Sequence, residues 1–145
     1  MVTIRRAEPE DARDLHELYK GHLTKEVQDV SKFTALLTRI TANPDYHLLV
    51  CDAKGKVVSS VTLVIIPNLT HNSRPYSVIE NVVTHTDFRN LGHASALIDK
   101  ACEIAKENNC YKITITTGSK KESTLRFYEK CGFNMNEKTA FLKRL

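Results

Sequence analysis

Apolar and polar residues alternate from Val2 to Arg6, the period of a strand with one buried face. The period then changes. Pro9 opens a helix, Glu8, Glu10 and Asp11 complement its positive end, and Ala12, Leu15, Leu18 and Tyr19 recur at helical spacing until Gly21. A second helix is expected over about residues 27–40, with Val30, Phe33, Leu36, Leu37 and Ile40 on one side and Pro44 beyond its end. Residues 46–52 read as a strand, Lys54-Gly55 as a hairpin turn, and residues 57–66 as the returning strand. Residues 68–74, bracketed by Pro67 and Pro75, are polar and without period, a loop long enough to invite a functional reading. A strand follows over residues 76–84. Leu91, Ala94, Leu97, Ile98, Ala101, Ile104 and Ala105 then make the cleanest amphipathic stripe in the chain. Residues 111–117 read as a strand, and Ser119-Lys-Lys-Glu122 spells a capping box for one more helix. Gly132 is its left-handed stop, and residues 139–142 are expected to form a last strand. The order β-α-α-β-β-β-α-β-α-β is that of a mixed α/β layer.

Composition narrows the class without choosing a function. At 145 residues, 41% apolar and 26% charged, the chain suits one soluble domain spanning residues 1–145. Met1-Val-Thr-Ile-Arg-Arg leads straight into a strand, so no secretory leader is expected. Leu63-Val-Ile-Ile66 is far too short to cross a bilayer. Cys51, Cys102, Cys110 and Cys131 show no metal-binding or disulfide spacing, and His22, His47 and His71 lack ligand spacing, so no metal is expected and the cytoplasm is the expected location. The net charge of +4 is spread along the chain rather than clustered with aromatics, which argues against a nucleic-acid partner.

The chemistry concentrates after the strand over residues 76–84. Arg89-Asn90-Leu91-Gly92-His93-Ala94-Ser95 is a turn that opens a helix, and a helix N-terminus carries unpaired N–H donors and a partial positive charge. Arg89 adds a cation, Gly92 permits close backbone approach, and Ala94 keeps the first turn small. Glu80 is a carboxylate inside the apolar run Val78-Ile-Glu-Asn-Val-Val83, where a charge needs a partner or a use. Alternation puts Glu80 with Val82, and Ile79, Asn81 and Val83 on the other face. A cross-strand ion pair and a role as base or ammonium-orienting group are both open for it. Phe127 and Tyr128 point about 100° apart on their helix, so both cannot face one core.

These segments resemble the GNAT N-acetyltransferase superfamily. Arg89-Asn-Leu-Gly92-His-Ala94 is similar to its [Q/R]-x-x-G-x-[G/A] pyrophosphate loop, Ile4-Arg-Arg-Ala-Glu-Pro-Glu-Asp-Ala12 to its first strand and helix start, and Phe127-Tyr-Glu-Lys-Cys-Gly-Phe133 to its C-terminal helix and turn. The three blocks stand in family order. The resemblance implies a mixed, mostly antiparallel sheet with helices on both faces. It also implies acetyl-CoA as cosubstrate, bound by residues 89–95 and by backbone groups of Val82, Val83 and Thr84, where the strand splays from its neighbour. Tyr128 becomes the acid that protonates the leaving thiolate, and Glu80 lies near the acceptor. No Asn precedes Tyr128 over residues 121–126, so Thr124 or Ser119 is the expected substitute. The activity implied is acetyl transfer to a small primary amine, with a homodimer as the implied assembly. Acetylation of a peptide or protein, and a noncatalytic acyl-CoA-binding module, are the rival readings.

Overall fold

The polar–apolar alternation is converted into one five-stranded sheet. The computed structural model describes residues 2–145 and contains β1 (Val2–Arg6), α1 (Ala12–His22), α2 (Val30–Thr41), β2 (Tyr46–Ala53), β3 (Lys56–Ile66), β4 (Tyr76–Thr84), α3 (His93–Glu107), β5 (Ile113–Ile115) and α4 (Glu122–Lys130). The strands lie in sequence order. β1 to β4 pair antiparallel, and β5 joins β4 parallel because α3 carries the chain back across the sheet. Lys54 and Gly55, at φ 53° and 87°, make the two-residue turn between β2 and β3. Asp52 fixes that turn by accepting the Gly55 N–H at 2.7 Å. Its other carboxylate oxygen takes Arg5, which also grips Asp11 with two bonds of 2.8 Å, so β1, β2 and the start of α1 share one ion cluster.

Each face of the sheet has its own core. Leu49, Cys51, Val58, Val61, Leu63 and Ile79 pack against Leu97, Ile98, Ala101 and Ala105 of α3, with Phe127, Tyr128 and Cys131 of α4 beside them. On the other face Leu48, Val50, Val57 and Val83 meet Leu15 and Leu18 of α1 and Leu37 of α2. The expected GNAT-like layer with helices on both faces is therefore the observed one.

Local details differ from the sequence reading. α1 runs through Gly21 to His22, and the N–H groups of Leu23 and Thr24 close it on the Tyr19 carbonyl. α2 starts at Val30 because the Asp29 side chain takes the Lys32 N–H at 3.1 Å, a stronger start signal than the hydrophobicity of Val27. The capping box at Ser119 does not form. Lys121 is the N-cap, and its carbonyl receives the Thr124 and Leu125 N–H groups, while the Ser119 hydroxyl bonds Thr124 Oγ1 at 3.1 Å. Gly132 does stop α4, at φ 97°, with the Phe133 N–H on the Tyr128 carbonyl and its own N–H on Glu129, a Schellman pair. Residues 139–142 form no strand. β5 is only three residues long, so it offers little edge to pair with, and Phe141 is 93% exposed.

Candidate active site

β4 carries an irregularity that sets the whole site. Ser60 and Thr62 of β3 are two residues apart, but their partners, Val83 and Glu80, are three apart. The extra residue is a bulge, and Asn81 takes it up in the left-handed region at φ 54°. A bulge reverses alternation beyond it. Ile79 and Val82 consequently face α3, and Val83 faces α1. This overturns the expectation that Ile79, Asn81 and Val83 share a face.

Glu80 lies just before the bulge, in register with Thr62 and, one strand further, Leu48. Leu48 belongs to the core under α1 and α2, so Glu80 is on that side of the sheet. Its carboxylate is exposed and forms no ion pair among the described residues.

The pairing of β4 with β5 ends at Ile79–Ile115, while β4 continues to Thr84. The second half of β4 therefore has an edge without a strand partner on the β5 side. A cleft of about 720 Å³ opens there, within the size range of ligand sites. It is lined by Val82, Val83 and Thr84, by Arg89, Asn90, Gly92, His93, Ala94 and Ser95, and by Lys121, Ser123, Thr124 and Phe127 of the α4 region. Of the residues expected to hold the coenzyme, Leu91 alone is not in the lining; it is 63% exposed.

The α3 N-terminus at this cleft is built to leave its donors free. Asn90 and Gly92 are left-handed, at φ 61° and 82°, and Gly92 is the N-cap, which has no side chain to fold back. The first bond within the helix runs from Ala96 N–H to the Gly92 carbonyl at 3.0 Å, so the N–H groups of His93, Ala94 and Ser95 precede the ladder. Arg89 is held over the strand end by its Nε–H on the Thr84 carbonyl at 3.3 Å. Backbone donors, a helix dipole and a guanidinium converge there, the chemistry of an anion site.

Tyr128 is not in the lining; its neighbour Phe127 is. The Tyr128 ring packs edge-on against Phe127 and Phe133, with centroids 5.1 and 6.4 Å away. Burial pushes its hydroxyl pKa above the usual 10, with Cys131 adding to the effect. Thr124, the suggested stand-in for the absent Asn, does line the cleft, and Ser119 reaches it through Thr124. Burial also raises the thiols of Cys51, Cys102 and Cys131, keeping them from the thiolate form.

Four cleft residues, His22, Phe88, Lys121 and Ser123, escaped the sequence reading. His22, at the end of α1, receives the Thr86 N–H on Nδ1 at 3.4 Å, and its ring lies tilted by 45° against His85 with centroids 4.2 Å apart. Its pKa is lowered by desolvation, then by His85 and Arg89. Phe88 lies edge-on to His85. Lys121, the N-cap of α4, adds a second cation. A histidine 67 residues before Arg89 gives no local pattern to find it by. Lys121 was legible only as part of the misread capping box. No group of three or more His, Cys, Asp or Glu capable of holding a metal occurs among the described residues, and no helix there is long and apolar enough to cross a membrane.

Known proteins share this fold. The acetyltransferase (GNAT) family pattern matches residues 11–133. A glucosamine 6-phosphate N-acetyltransferase of Trypanosoma brucei brucei is 30% identical over 128 residues, covering 81% of this chain and 80% of that protein. Among solved structures, a putative acetyltransferase from Agrobacterium tumefaciens str. C58 superposes with a TM-score of 0.91 at 37% identity, over 99% of both chains. A Trypanosoma brucei acetyltransferase gives 0.85 at 29% identity, over 99% of this chain and all of that one. The chain belongs to the GNAT acetyltransferase family, and it is an N-acetyltransferase by that membership.

Proposed function

We propose that the protein transfers an acetyl group from acetyl-CoA directly to a small primary amine. One observation carries the reading: the uncapped start of α3 and the unpaired edge of β4 line the same cleft. The fit to coenzyme A follows from donor chemistry. The N–H groups of His93, Ala94 and Ser95, with Arg89 and Lys121, suit a diphosphate. The edge at Val82, Val83 and Thr84 suits the amides of a pantetheine arm, as a strand edge suits any extended chain. When bound, the coenzyme supplies the acetyl group as a thioester.

The chain's own groups divide the remaining work. Glu80 orients the incoming ammonium and takes its proton through water, since an amine must be neutral to attack. The nitrogen bonds to the acetyl carbon as the carbon–sulfur bond breaks. The Tyr128 hydroxyl gives its proton to the departing sulfur; its raised pKa keeps it protonated at neutral pH. Direct attack is preferred to an acetyl-cysteine route because the raised thiol pKa values disfavour a nucleophilic thiolate. The Trypanosoma relative, named for an amino-sugar phosphate, favours a small-molecule acceptor over a peptide.

The test is an amine library read by free thiol released from acetyl-CoA, with peptide amines as a second panel. Small primary amines are expected to stimulate release well above the amine-free rate. Release with peptides alone would move the acceptor to proteins, and tight coenzyme A binding with no release from either panel would leave a binding module.

A further inference from the structure

The turn that leads to Arg89 is held by two imidazoles. His22 ends α1 and lines the cleft; its Nδ1 takes the Thr86 N–H at 3.4 Å and lies 3.0 Å from Thr86 Oγ1. One residue on, the Asp87 N–H is taken by Nδ1 of His85 at 3.1 Å. The two ring centroids are 4.2 Å apart, and Phe88, also in the cleft lining, packs edge-on against His85. His85 is itself fixed to β3, through its N–H on the Val58 carbonyl at 2.8 Å. Arg89 follows directly, with its N–H on the Thr86 carbonyl and its Nε–H on the Thr84 carbonyl. The end of α1 is thereby tied to the segment that leads into α3.

The donors fix the state of both rings. A backbone N–H can only donate, so each Nδ1 presents a lone pair, and each neutral ring carries its proton on Nε2. A second proton can therefore enter only at Nδ1, the atom that holds the turn. Each ring has another partner for that proton: Thr86 Oγ1 for His22, and the Asp87 carboxylate, 3.9 Å from Nδ1, for His85. Protonation thus drops two successive backbone N–H groups without stranding either ring. It also sets cations side by side, which repel. The charged and titratable groups around His22 are His85, Arg89 and Lys25, against Asp87 alone, and the Asp87 side chain is 80% exposed and screened by water.

We infer that His22 and His85 are positioning residues for the coenzyme turn, a latch that holds residues 86 and 87 while both rings are neutral and releases them when the rings are protonated. The inference rests on the acetyltransferase reading above, which puts the coenzyme diphosphate beside Arg89 and the first N–H groups of α3. Its sign is opposite to that of simple attraction. Added cations alone would tighten the hold on an anion. Release of the turn frees Arg89 to move away and loosens that hold.

The test titrates the whole protein with dephospho-coenzyme A, whose diphosphate keeps its charge across the imidazole range, at about pH 8 and about pH 5.5. Loss of the two N–H bonds should weaken binding about tenfold at the lower pH. His22→Asn with His85→Asn is the comparison. Each amide oxygen stands near the place of Nδ1 and accepts at either pH, so the double variant should bind equally at both. His93 and Lys121, the other titratable groups of the cleft besides Arg89, are the same in parent and variant, so their titration cancels. Ring ¹⁵N spectra of the ligand-free parent give a second measurement that needs no variant. Nδ1 of both rings should be unprotonated at about pH 8, and the Thr86 and Asp87 amide signals should move with the midpoint at which Nδ1 gains its proton. Affinity that holds or rises on acidification, an equal fall in the double variant, or an Nδ1 already protonated at the higher pH overturns the inference. Ring and amide signals that move as expected, with no binding of dephospho-coenzyme A at either pH, would sink the coenzyme reading and leave the latch standing.

Discussion

Gly92→Ala separates the geometry of the α3 N-terminus from its packing. Gly92 holds φ at 82°, where an L side chain costs about 1–2 kcal/mol. A Cβ placed there would meet nothing within 4 Å, so no collision adds to that cost. The native turn can respond in two ways. It can keep its shape and lose about 1 kcal/mol of stability, a fall in Tm of about 2–4 °C for a chain this long. Or it can relax φ to negative values, which swings the first turn of α3 and displaces the His93, Ala94 and Ser95 donors. Each N–H to a charged oxygen contributes about 1.5–3 kcal/mol, so losing one of them lowers coenzyme affinity about tenfold to a hundredfold.

The assay is calorimetric titration with coenzyme A, beside thermal melts of the same samples. Gly21→Ala is the matched control. That glycine lies inside α1, also has nothing within 4 Å of a built Cβ, and has no positive φ. It should gain about 0.5–1 kcal/mol and bind coenzyme A as before. A fall in Tm with coenzyme A affinity within twofold of the parent marks a turn that kept its shape; an unchanged Tm, the sign of a relaxed turn, with affinity still within twofold would refute the reasoning. The turn would then be structural, and the diphosphate would sit elsewhere.

Three further outcomes are expected. Tyr128→Phe keeps the ring contacts with Phe127 and Phe133, so folding and coenzyme affinity should survive while turnover at saturating acetyl-CoA falls about a hundredfold, the low end for general acid catalysis; an unchanged rate with chemistry limiting would make Tyr128 a packing residue. Glu80→Gln, at an exposed position without an ion pair, should leave stability within about 0.5 kcal/mol and lower turnover with coenzyme affinity intact; equal turnover at every pH would remove Glu80 from the mechanism. The pKa of His47 is lowered from 6.5 by desolvation and by Arg6, against a smaller opposing effect of Asp45, and its Nε2 is buried without a partner. The unfolded chain then binds more protons below that value, so stability present above pH 6.5 is lost as pH falls through the folded pKa. Urea melts at pH 7.5 and 5.5 should show that loss, reduced in His47→Gln, and a midpoint that does not fall on acidification would contradict it.

The sequence carries the coenzyme side of this protein better than the acceptor side, for a physical reason. The turn at residues 89–95 is local, so glycine, helix periodicity and charge all lie within one short stretch and can be read together. The alternation that positions side chains on β4 is local too, but it holds only while the ladder is regular. Asn81 breaks it. No residue in Val78-Ile-Glu-Asn-Val-Val83 announces a bulge, because Asn is merely tolerant of the left-handed region and the extra residue is specified by pairing with β3. The same limit hid His22. It reads as a histidine past the expected helix end at Gly21, without ligand spacing, and only the continuation of α1 to His22 beside the end of β4 brings it to the cleft. Ser119 failed differently: its hydroxyl found Thr124, and a carbonyl at Lys121 started the helix instead.

The two halves of the site accordingly answer to different kinds of change. The proposed coenzyme half is made chiefly of backbone: N–H groups of α3 and the open edge of β4. Side-chain substitution there matters mainly through φ, as at Gly92, or through a cation, as at Arg89 and Lys121. The proposed acceptor half rests on a side chain, the Glu80 carboxylate, and Glu80→Gln is expected to change amine turnover without disturbing the donors on α3. The bulge at Asn81 joins the halves, since it is where β4 stops presenting Glu80 to one face and begins presenting its edge to the cleft. A shift of the β3–β4 register by one residue would turn Glu80 and Val83, which share the α1 side, to the α3 side. Such a change would abolish acceptor binding while leaving the α3 N-terminus, and with it coenzyme A affinity, in place.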